Sequence, residues 1–424
     1  MHRPNRRDLM KLTGAATLAA TFAGPLFAQA SGRVVIVGAG FGGASCARTL
    51  RRIAPGLNVT LIDRNPTFVT CPFSNKVLGG LAEIGDVTHD FDGLRAAGVE
   101  VVIANVDAIE PDTNSLRLAD GSDLSYDRLV LSPGIAFKWG ALTGYGREAA
   151  EIMPHAWQAG PQTELLRRQL VAMEDGGTVI IAPPLNPFRC PPGPYERASL
   201  IAHYLKTEKP RSKILILDAK DDFSKQGLFI EGWETLYPGL IEWVPFGMGG
   251  GVMAVDPATM TLDTGFETFT GDVVNVIPPQ RAADLVFDAG LTGEGEWCSV
   301  DGHTFESRVA PGIHILGDAV IAGDMPKSGF SASSQGRACA HVIAALLDGG
   351  DAPTLSFVNT CYSLLAPDYG ISVAGVYSVD ATGAIIGVPD SGGVSPRGAD
   401  AAFRAREAAY AESWYANLTS DIFA

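Results

Sequence analysis

Three glycines spaced as Gly38-x-Gly40-x-x-Gly43, followed by Asp63, are the first residues in this chain whose types and spacing could do chemistry. In such a motif the first glycine permits a tight turn, the second lets backbone approach a pyrophosphate, and the third lets a helix pack closely on a strand. An acidic residue about 20 positions later can bind a ribose hydroxyl. The pattern predicts a dinucleotide site; a glycine-rich turn in another α/β fold is the alternative.

The segments around these glycines are those that such a site needs. Residues 33–37 are short, apolar and rich in β-branched side chains, as expected of a buried parallel strand. Residues 44–53 favour a helix, and residues 59–62 a second strand that ends at Asp63. A pyrophosphate would then lie against free N–H groups at the start of the helix.

A second strand–helix–strand unit, predicted over residues 178–182, 196–205 and 213–218, lacks these glycines. In their place stands a proline-rich run that includes Pro183, Pro184 and Pro187. Proline has no N–H group and cannot cradle a pyrophosphate. This argues against NAD(P)H as a substrate.

A later predicted strand ends in the turn Gly317-Asp318. A carboxylate there suits the ribityl chain of a flavin, whereas a helix N-cap is the other role open to Asp318. One glycine motif, this second turn and no nicotinamide motif together describe a flavoprotein.

The composition sets further limits. A chain of 424 residues suggests two or three domains. Its formal charge of −15 excludes nucleic acid and anionic lipid as partners. Its six cysteines fit no zinc or haem spacing, so we expect no metal site in this chain. Beyond residue 30 no stretch is apolar over the roughly 18 residues needed for a membrane span.

Residues 1–30 have the features of an export signal. Arg6 and Arg7 precede an apolar stretch at residues 12–27, and Ala28-Gln29-Ala30 fits a cleavage site. The paired arginines favour the twin-arginine (Tat) route; a Sec signal with two chance arginines is the alternative. We therefore expect a periplasmic protein.

The order of the predicted elements indicates an α/β fold with two Rossmann-like dinucleotide-fold domains, the second degenerate and without an NAD site, and a C-terminal interface domain. We expect residues 31–142 and 273–350 to form the FAD-binding domain. Residues 143–272 would form the degenerate domain, and residues 351–424 the interface domain.

Four further motifs are more specific than the glycines. They are Phe188-Arg189-Cys190-Pro191-Pro192-Gly193-Pro194-Tyr195-Glu196-Arg197-Ala198-Ser199, Met325-Pro326-Lys327-Ser328-Gly329, Asn359-Thr360-Cys361-Tyr362-Ser363-Leu364-Leu365-Ala366-Pro367 and Pro389-Asp390-Ser391-Gly392-Gly393-Val394. On these motifs the chain, from Gly32 to its end, resembles the flavoprotein subunit of flavocytochrome c sulfide dehydrogenase, in the disulfide-oxidoreductase-like flavoprotein superfamily.

The resemblance implies a redox disulfide between Cys190 and Cys361 beside the flavin, with Glu196 as a catalytic acid/base. It implies a thioether that joins Cys71 to the FAD. Lys327 would lie near the edge of the flavin ring where reduction builds negative charge. The other residues expected to bind FAD are Gly38, Gly40, Gly43, Asp63, Arg64, Val106, Pro133, Gly134 and Asp318.

The residues by themselves leave other roles open. The two cysteines could form a structural staple between domains, and Cys71 could be an unmodified thiol. Glu196 could do no more than favour the start of a helix, and Lys327 could be a solvated loop lysine.

The resemblance implies oxidation of hydrogen sulfide to sulfur or polysulfide through the disulfide, with electrons passed to a separate c-type, dihaem cytochrome subunit. Haem would belong to that partner alone. A non-catalytic accessory flavoprotein of a sulfur-oxidising complex is one alternative, and a sulfide:quinone oxidoreductase is another. The quinone reaction needs a C-terminus that dips into a membrane, whereas residues 404–421 are charged and polar.

Overall fold

The computed structural model describes residue 27 and residues 29–424. The predicted export signal therefore lies outside the described residues, apart from Phe27, Gln29 and Ala30. Within the described part of the chain, no helix is long and apolar enough to cross a membrane. Among the same residues, no group of His, Cys, Asp or Glu side chains is arranged to hold a metal ion.

The chain alternates strands and helices in its first two thirds and ends in an antiparallel sheet with a long helix. The first part comprises β1 (Gly32–Val37), α1 (Phe41–Ile53), β2 (Leu57–Asp63), β3 (Phe68–Val69), α2 (Ser74–Leu78), β4 (Thr88–His89), α3 (Asp92–Ala96), β5 (Glu100–Ile103), β6 (Val106–Glu110), β7 (Ser115–Leu118), β8 (Asp123–Ser125), β9 (Arg128–Leu131) and β10 (Ile135–Phe137). The middle part comprises α4 (Pro161–Ala172), β11 (Thr178–Ala182), α5 (Gly193–Glu208), β12 (Lys213–Leu217), α6 (Gln226–Leu236), β13 (Ile241–Val244), β14 (Ala254–Asp256), β15 (Thr261–Asp263), β16 (Thr268–Thr270) and β17 (Val273–Val276).

The last part returns to the first sheet and then forms the C-terminal unit. It comprises β18 (Gln280–Ala282), α7 (Asp284–Asp288), β19 (Ile313–Ile315), α8 (Gly329–Leu347), β20 (Ser356–Ala366), β21 (Tyr369–Val379), β22 (Ile385–Gly387), β23 (Gly393–Val394) and α9 (Ala401–Phe423). Short 3₁₀ helices lie at Ile84–Val87, Pro111–Thr113, Ala149–Glu151, Phe246–Met248, Glu294–Glu296 and Gly317–Ala319.

Five parallel strands, in the order β19–β9–β1–β2–β5, form the sheet of the first domain. β1 is its central strand, and Val34, Val35 and Ile36 are fully buried because both faces of the sheet are covered. The predicted succession of strand, glycine turn, helix and strand is confirmed by β1, α1 and β2. It brings Gly38 and Asp63 to the carboxyl edge of the sheet, where ligands bind in such folds.

A second parallel sheet, in the order β13–β12–β11–β17, forms the core of the next domain. The predicted second strand–helix–strand unit is present as β11, α5 and β12. The boundary predicted at residue 272 needs correction, because β17 pairs in parallel with β11 and all four of its residues are buried. This valine-rich strand completes the sheet before the chain crosses back to the first domain.

The C-terminal unit joins the two domains through its longest strands. β20 pairs with β21 in an antiparallel sheet, with Cys361 opposite Val373. β20 packs against α5 and α8, and α9 packs across β21. α9 begins after Asp400, whose side chain accepts the N–H of Phe403 at 2.7 Å as an N-cap. The packing brings the strand that carries Cys361 against the helix that follows Cys190.

Candidate active site

A cleft of about 1040 Å³ runs along the carboxyl edge of the first sheet. Most of the residues predicted to bind the cofactor line it: Gly38, Gly40, Asp63, Arg64, Cys71, Val106, Pro133, Gly134 and Asp318. Gly43 and Lys327 are not among the residues that line this cleft. The cleft therefore gathers residues from β1, β2, β6 and the turn after β9, as a dinucleotide-shaped ligand would require.

The glycine motif has no room for larger residues. Gly38 has φ 99°, and a Cβ there would lie 2.3 Å from the carbonyl oxygen of Ser132. A Cβ on Gly43 would lie 2.0 Å from the carbonyl oxygen of Gly38. Gly40 precedes α1 without a side-chain cap, and the first N–H of the helix to be bonded within it is that of Ala44. The N–H groups of Phe41, Gly42 and Gly43, in the first turn of α1, are therefore free to bind an anion.

Asp63 ties the end of β2 to the glycine turn. One carboxylate oxygen accepts the N–H of Ala39 at 2.8 Å, and the other accepts the N–H of Asn65 at 2.9 Å. A carboxylate offers about four acceptor positions, so Asp63 keeps capacity for a ribose hydroxyl in the cleft.

Asp318 presents an acceptor that nothing in the described chain satisfies. Its Oδ1 is buried without a hydrogen-bond partner. Its Oδ2 lies 3.9 Å from Nη1 of Arg189. Burial raises the pKa of Asp318, while Arg189 and Lys327 oppose that rise. An unpaired buried acceptor at the cleft wall fits a hydroxyl group of a flavin dinucleotide.

Lys327 does not line the cleft, but its ammonium donates to the backbone carbonyls of Asp318, which does, and of Val320. Its ammonium donates to the carbonyl oxygen of Asp318 at 2.9 Å and lies 3.9 Å from the ring centre of Trp297. Burial lowers the pKa of Lys327 to about 8. The lysine therefore holds the Gly317–Ala319 turn in place, and its predicted position at the flavin edge stays a prediction.

The structure brings Cys190 and Cys361 into one cluster. Cys190 has φ 57°, and its N–H donates to the carbonyl oxygen of Lys327 at 2.8 Å. Burial is the main cause of the raised pKa of Cys190, and the neighbouring Cys361, Glu196 and Cys71 raise it further. All six cysteines carry free thiols in the structure, so the disulfide stays a prediction.

Glu196 joins three segments at this cluster. Its two oxygens accept the N–H of Leu364 at 2.9 Å and the side-chain amide of Asn75 at 2.8 Å. Burial raises the pKa of Glu196, with these two hydrogen bonds opposing the shift. A carboxyl group held between α5 and β20, and reluctant to ionise, can exchange a proton beside the cysteines.

Cys71 lies where the cleft meets the cysteine cluster. It is partly exposed to the cleft, and its sulfur is 3.7 Å from the carbonyl oxygen of Trp157. Arg189 also donates to that carbonyl, and the indole N–H of Trp157 donates back to the Arg189 carbonyl at 3.1 Å. The loop that carries Cys190 is thereby fixed beside Cys71.

Residues that sequence reasoning missed hold this cluster together. Arg197 is buried, and its guanidinium lies 4.8 Å from the ring centre of Trp157. It donates to the side chains of Asn75 and Asn275 and to the carbonyls of His155 and Ala156. The only signal for Arg197 was its place in the motif after Cys190. Asn75 and Lys225 stand in segments without any motif.

The buried His155 makes the stability of this region depend on pH. Its Nδ1 accepts the N–H of Trp157 at 2.9 Å, so the fold binds the neutral ring. Burial, with Arg197 and Arg189, lowers the pKa of His155 to about 3. The unfolded chain takes up this proton below about pH 6.5, so stability is lost as pH falls from 6.5 towards 3.

We expect this single residue to account for roughly 2 kcal/mol of stability lost between pH 6.5 and 4.5. In urea titrations, the free energy of unfolding of the wild-type protein should fall by that much more than that of His155→Asn over the same range. Equal pH slopes for the two proteins would contradict the assignment.

Two parallel-stranded domains, a glycine-motif cleft and a cysteine cluster define a flavoprotein of the disulfide-oxidoreductase type. Residues 32–158 match the family model described as pyridine nucleotide-disulphide oxidoreductase. Residues 163–278 match the central domain of the sulfide dehydrogenase [flavocytochrome c] flavoprotein chain. Residues 353–423 match the flavocytochrome c sulphide dehydrogenase flavin-binding domain. The chain belongs to the family of flavocytochrome c sulfide dehydrogenase flavoprotein chains.

Individual relatives agree with this membership. A sulfide dehydrogenase [flavocytochrome c] flavoprotein chain from Chlorobaculum thiosulfatiphilum is 60% identical over 45 residues, which are 11% of this chain and 94% of that one. The mitochondrial sulfide:quinone oxidoreductase of Mus musculus is 21% identical over 297 residues, 67% of this chain and 65% of that protein. This chain thus spans less than two thirds of the mouse protein.

A solved structure shows the same fold. The sulfide:quinone oxidoreductase of Aquifex aeolicus superposes with a TM-score of 0.66 over 92% of each chain at 18% identity. At that identity the similarity concerns the fold alone.

Proposed function

We propose that this chain is an FAD-dependent sulfide dehydrogenase. It oxidises hydrogen sulfide to sulfur or polysulfide through Cys190 and Cys361 and passes the electrons to a c-type cytochrome. The observation that carries the proposal is the cysteine cluster: Cys190 of the second domain has Cys361 of the C-terminal unit and Cys71 as neighbours, and Cys71 lines the dinucleotide cleft. Family membership supports the choice of sulfide.

The chemistry of the cysteine pair balances if bound FAD takes up the two electrons released when the bridge re-forms. Hydrosulfide attacks one sulfur of a Cys190–Cys361 bridge, so the S–S bond breaks, a persulfide forms on one cysteine and the other leaves as a thiolate. A second hydrosulfide removes the outer sulfur as a disulfane anion and leaves both cysteines reduced. When the bridge re-forms, two electrons and a proton leave the pair, and Glu196 can take the proton.

The cofactor fits the residues of the cleft. The N–H groups at the start of α1 would bind the pyrophosphate, Asp63 a ribose hydroxyl, and the unpaired oxygen of Asp318 a flavin-side hydroxyl. FAD bound in this cleft would supply the two-electron acceptor for the cysteine pair.

We further propose that Cys71 binds the FAD covalently. On acid precipitation of the wild-type protein, flavin should stay with the polypeptide, whereas Cys71→Ser should release it to the supernatant. Cys298→Ala removes a buried thiol elsewhere and should leave the linkage intact. Flavin in the wild-type supernatant would contradict the proposal.

The test of the proposed function is anaerobic mixing of the oxidised holoprotein with sulfide. We expect the flavin absorbance to bleach and added cytochrome c to be reduced with continued turnover. Bleaching without turnover would favour an accessory flavoprotein, and no bleaching would overturn the proposal.

The partner and the location remain proposals of the same kind. The paired arginines at the N-terminus support export by the Tat route to the periplasm, and the family's name supports a c-type cytochrome partner, which we propose carries two haems. Transfer to quinone is the rival, and the relatives named for it give it support. Flotation with liposomes, combined with a comparison of quinone and cytochrome c as acceptors, separates the two.

A further inference from the structure

The cysteine cluster includes a buried cation to which neither the sequence motifs nor the family resemblance assigns a role. Lys225 precedes α6 in a left-handed conformation with φ 62°, and it is 8% exposed. Its ammonium donates to the hydroxyl of Ser363 at 2.8 Å. Lysine is rarely buried unless an anion pairs with it, and this contact is to a neutral group. A hydrogen bond to a neutral hydroxyl does not by itself explain a buried ammonium, so we expect an anion near it.

Besides Glu196, Cys361 on β20 can supply that anion. Ser363 and Cys361 are two residues apart on one strand, so their side chains share a face. An ammonium group on the Ser363 hydroxyl is therefore held on the face of β20 that carries Cys361. Burial raises the pKa of Cys361, and Lys225 is the neighbouring charge that lowers it.

Other charged groups around the cluster do not take over this role. Glu196, on α5, opposes ionisation of both cysteines. Glu196 and, more weakly, Glu407 on α9 favour the charged form of Lys225, against the lowering of its pKa by burial. Arg197 is bound to amide and carbonyl oxygens. Lys225 is thus the cation placed to meet a negative sulfur on β20.

We propose, on the basis of the proposed function, that Lys225 is a positioning residue that stabilises a sulfur anion on Cys361. The anion is the thiolate released when the bridge opens, or the persulfide when it forms on that cysteine. Lys225 makes and breaks no covalent bond in either step. An opposite charge within about 4–6 Å lowers a thiol pKa by roughly 1–3 units, which is a tenfold or larger gain in thiolate near neutral pH.

The test measures the thiols without sulfide or an electron acceptor. The holoprotein is reduced, freed of reductant under anaerobic conditions and alkylated with iodoacetamide from pH 5 to 10, and Cys361 is followed by peptide mass spectrometry. Lys225→Met should move the alkylation midpoint of Cys361 up by about one unit or more, with about tenfold slower alkylation at pH 7. Lys225→Arg, which keeps the charge, should stay near the wild-type profile.

Two further variants keep the outcome clear. Lys209→Met removes another buried lysine, whose ammonium donates to backbone carbonyls at the end of α4, and it should leave the profile unchanged. Lys225→Gln repeats the loss of charge with a polar side chain if the methionine variant does not fold. An unchanged Cys361 midpoint in a folded neutral variant would overturn the inference. If sulfide does not bleach the flavin of the wild-type protein but Lys225→Met still raises the alkylation midpoint of Cys361, only the proposed function is overturned.

Discussion

Replacement of Cys190 or Cys361 with serine is expected to abolish the rapid bleaching of the flavin by sulfide, with a loss of at least about 100-fold in rate. Serine cannot form the S–S bond that hydrosulfide opens, and its hydroxyl is a far poorer nucleophile and leaving group than a thiol. Both cysteines are only partly buried, so the isosteric change should leave the fold intact. The measurement is anaerobic stopped-flow absorbance of the flavin after mixing with sulfide.

Cys298→Ala is the matched control for these variants, because Cys298 is a buried thiol outside the cluster. Its bleaching rate should stay close to that of the wild-type protein. Undiminished bleaching in both serine variants would show that sulfide reduces the flavin without the cysteine pair. Loss in only one variant would also contradict the bridge, because each replacement removes one of its two sulfurs.

Gly43→Ala is expected to have the largest effect on the cofactor site. The added Cβ would lie 2.0 Å from the carbonyl oxygen of Gly38 and 3.2 Å from its carbonyl carbon. These are backbone atoms of the turn itself, so relief requires α1 to move away from β1. We expect a loss of about 3 kcal/mol or more in the free energy of unfolding and about tenfold less flavin per polypeptide.

The ratio of flavin to protein absorbance, together with urea denaturation, measures both effects. Gly85→Ala is the matched control, since a Cβ there meets nothing within 4 Å. That variant should keep its flavin and most of its stability. A Gly43→Ala protein with full flavin content would contradict the role given to the close approach of helix and strand.

The nucleotide half of this protein was predictable because its signal is local. A short apolar strand, a turn that only glycine can occupy and the start of a helix are adjacent in sequence, and their geometry depends on neighbouring backbone atoms. A Cβ on Gly38 or Gly43 would clash with backbone atoms, so the turn requires glycine at both positions. The lack of a second phosphate site could also be predicted locally, because the prolines after Ala182 have no N–H group that could bind phosphate.

Strand pairing over long distances was harder to predict. Three of the four residues at 273–276 are valine and suit either parallel sheet, so the domain boundary was predicted too early. Lys327 is a comparable case. Its motif did not reveal that its ammonium would be taken up by backbone carbonyls of the turn beside the cleft.

By itself the sequence determined the dinucleotide fold and, through motifs, predicted which cysteines act. Only the tertiary structure decided what surrounds them: Asn75 and Lys225 come from segments with no motif, yet they meet Glu196 and Cys361 where α2, α5, α6 and β20 pack together. The reason is physical. A turn is specified by the few residues that form it, whereas the charge beside a partly buried thiol depends on which distant segments pack around it.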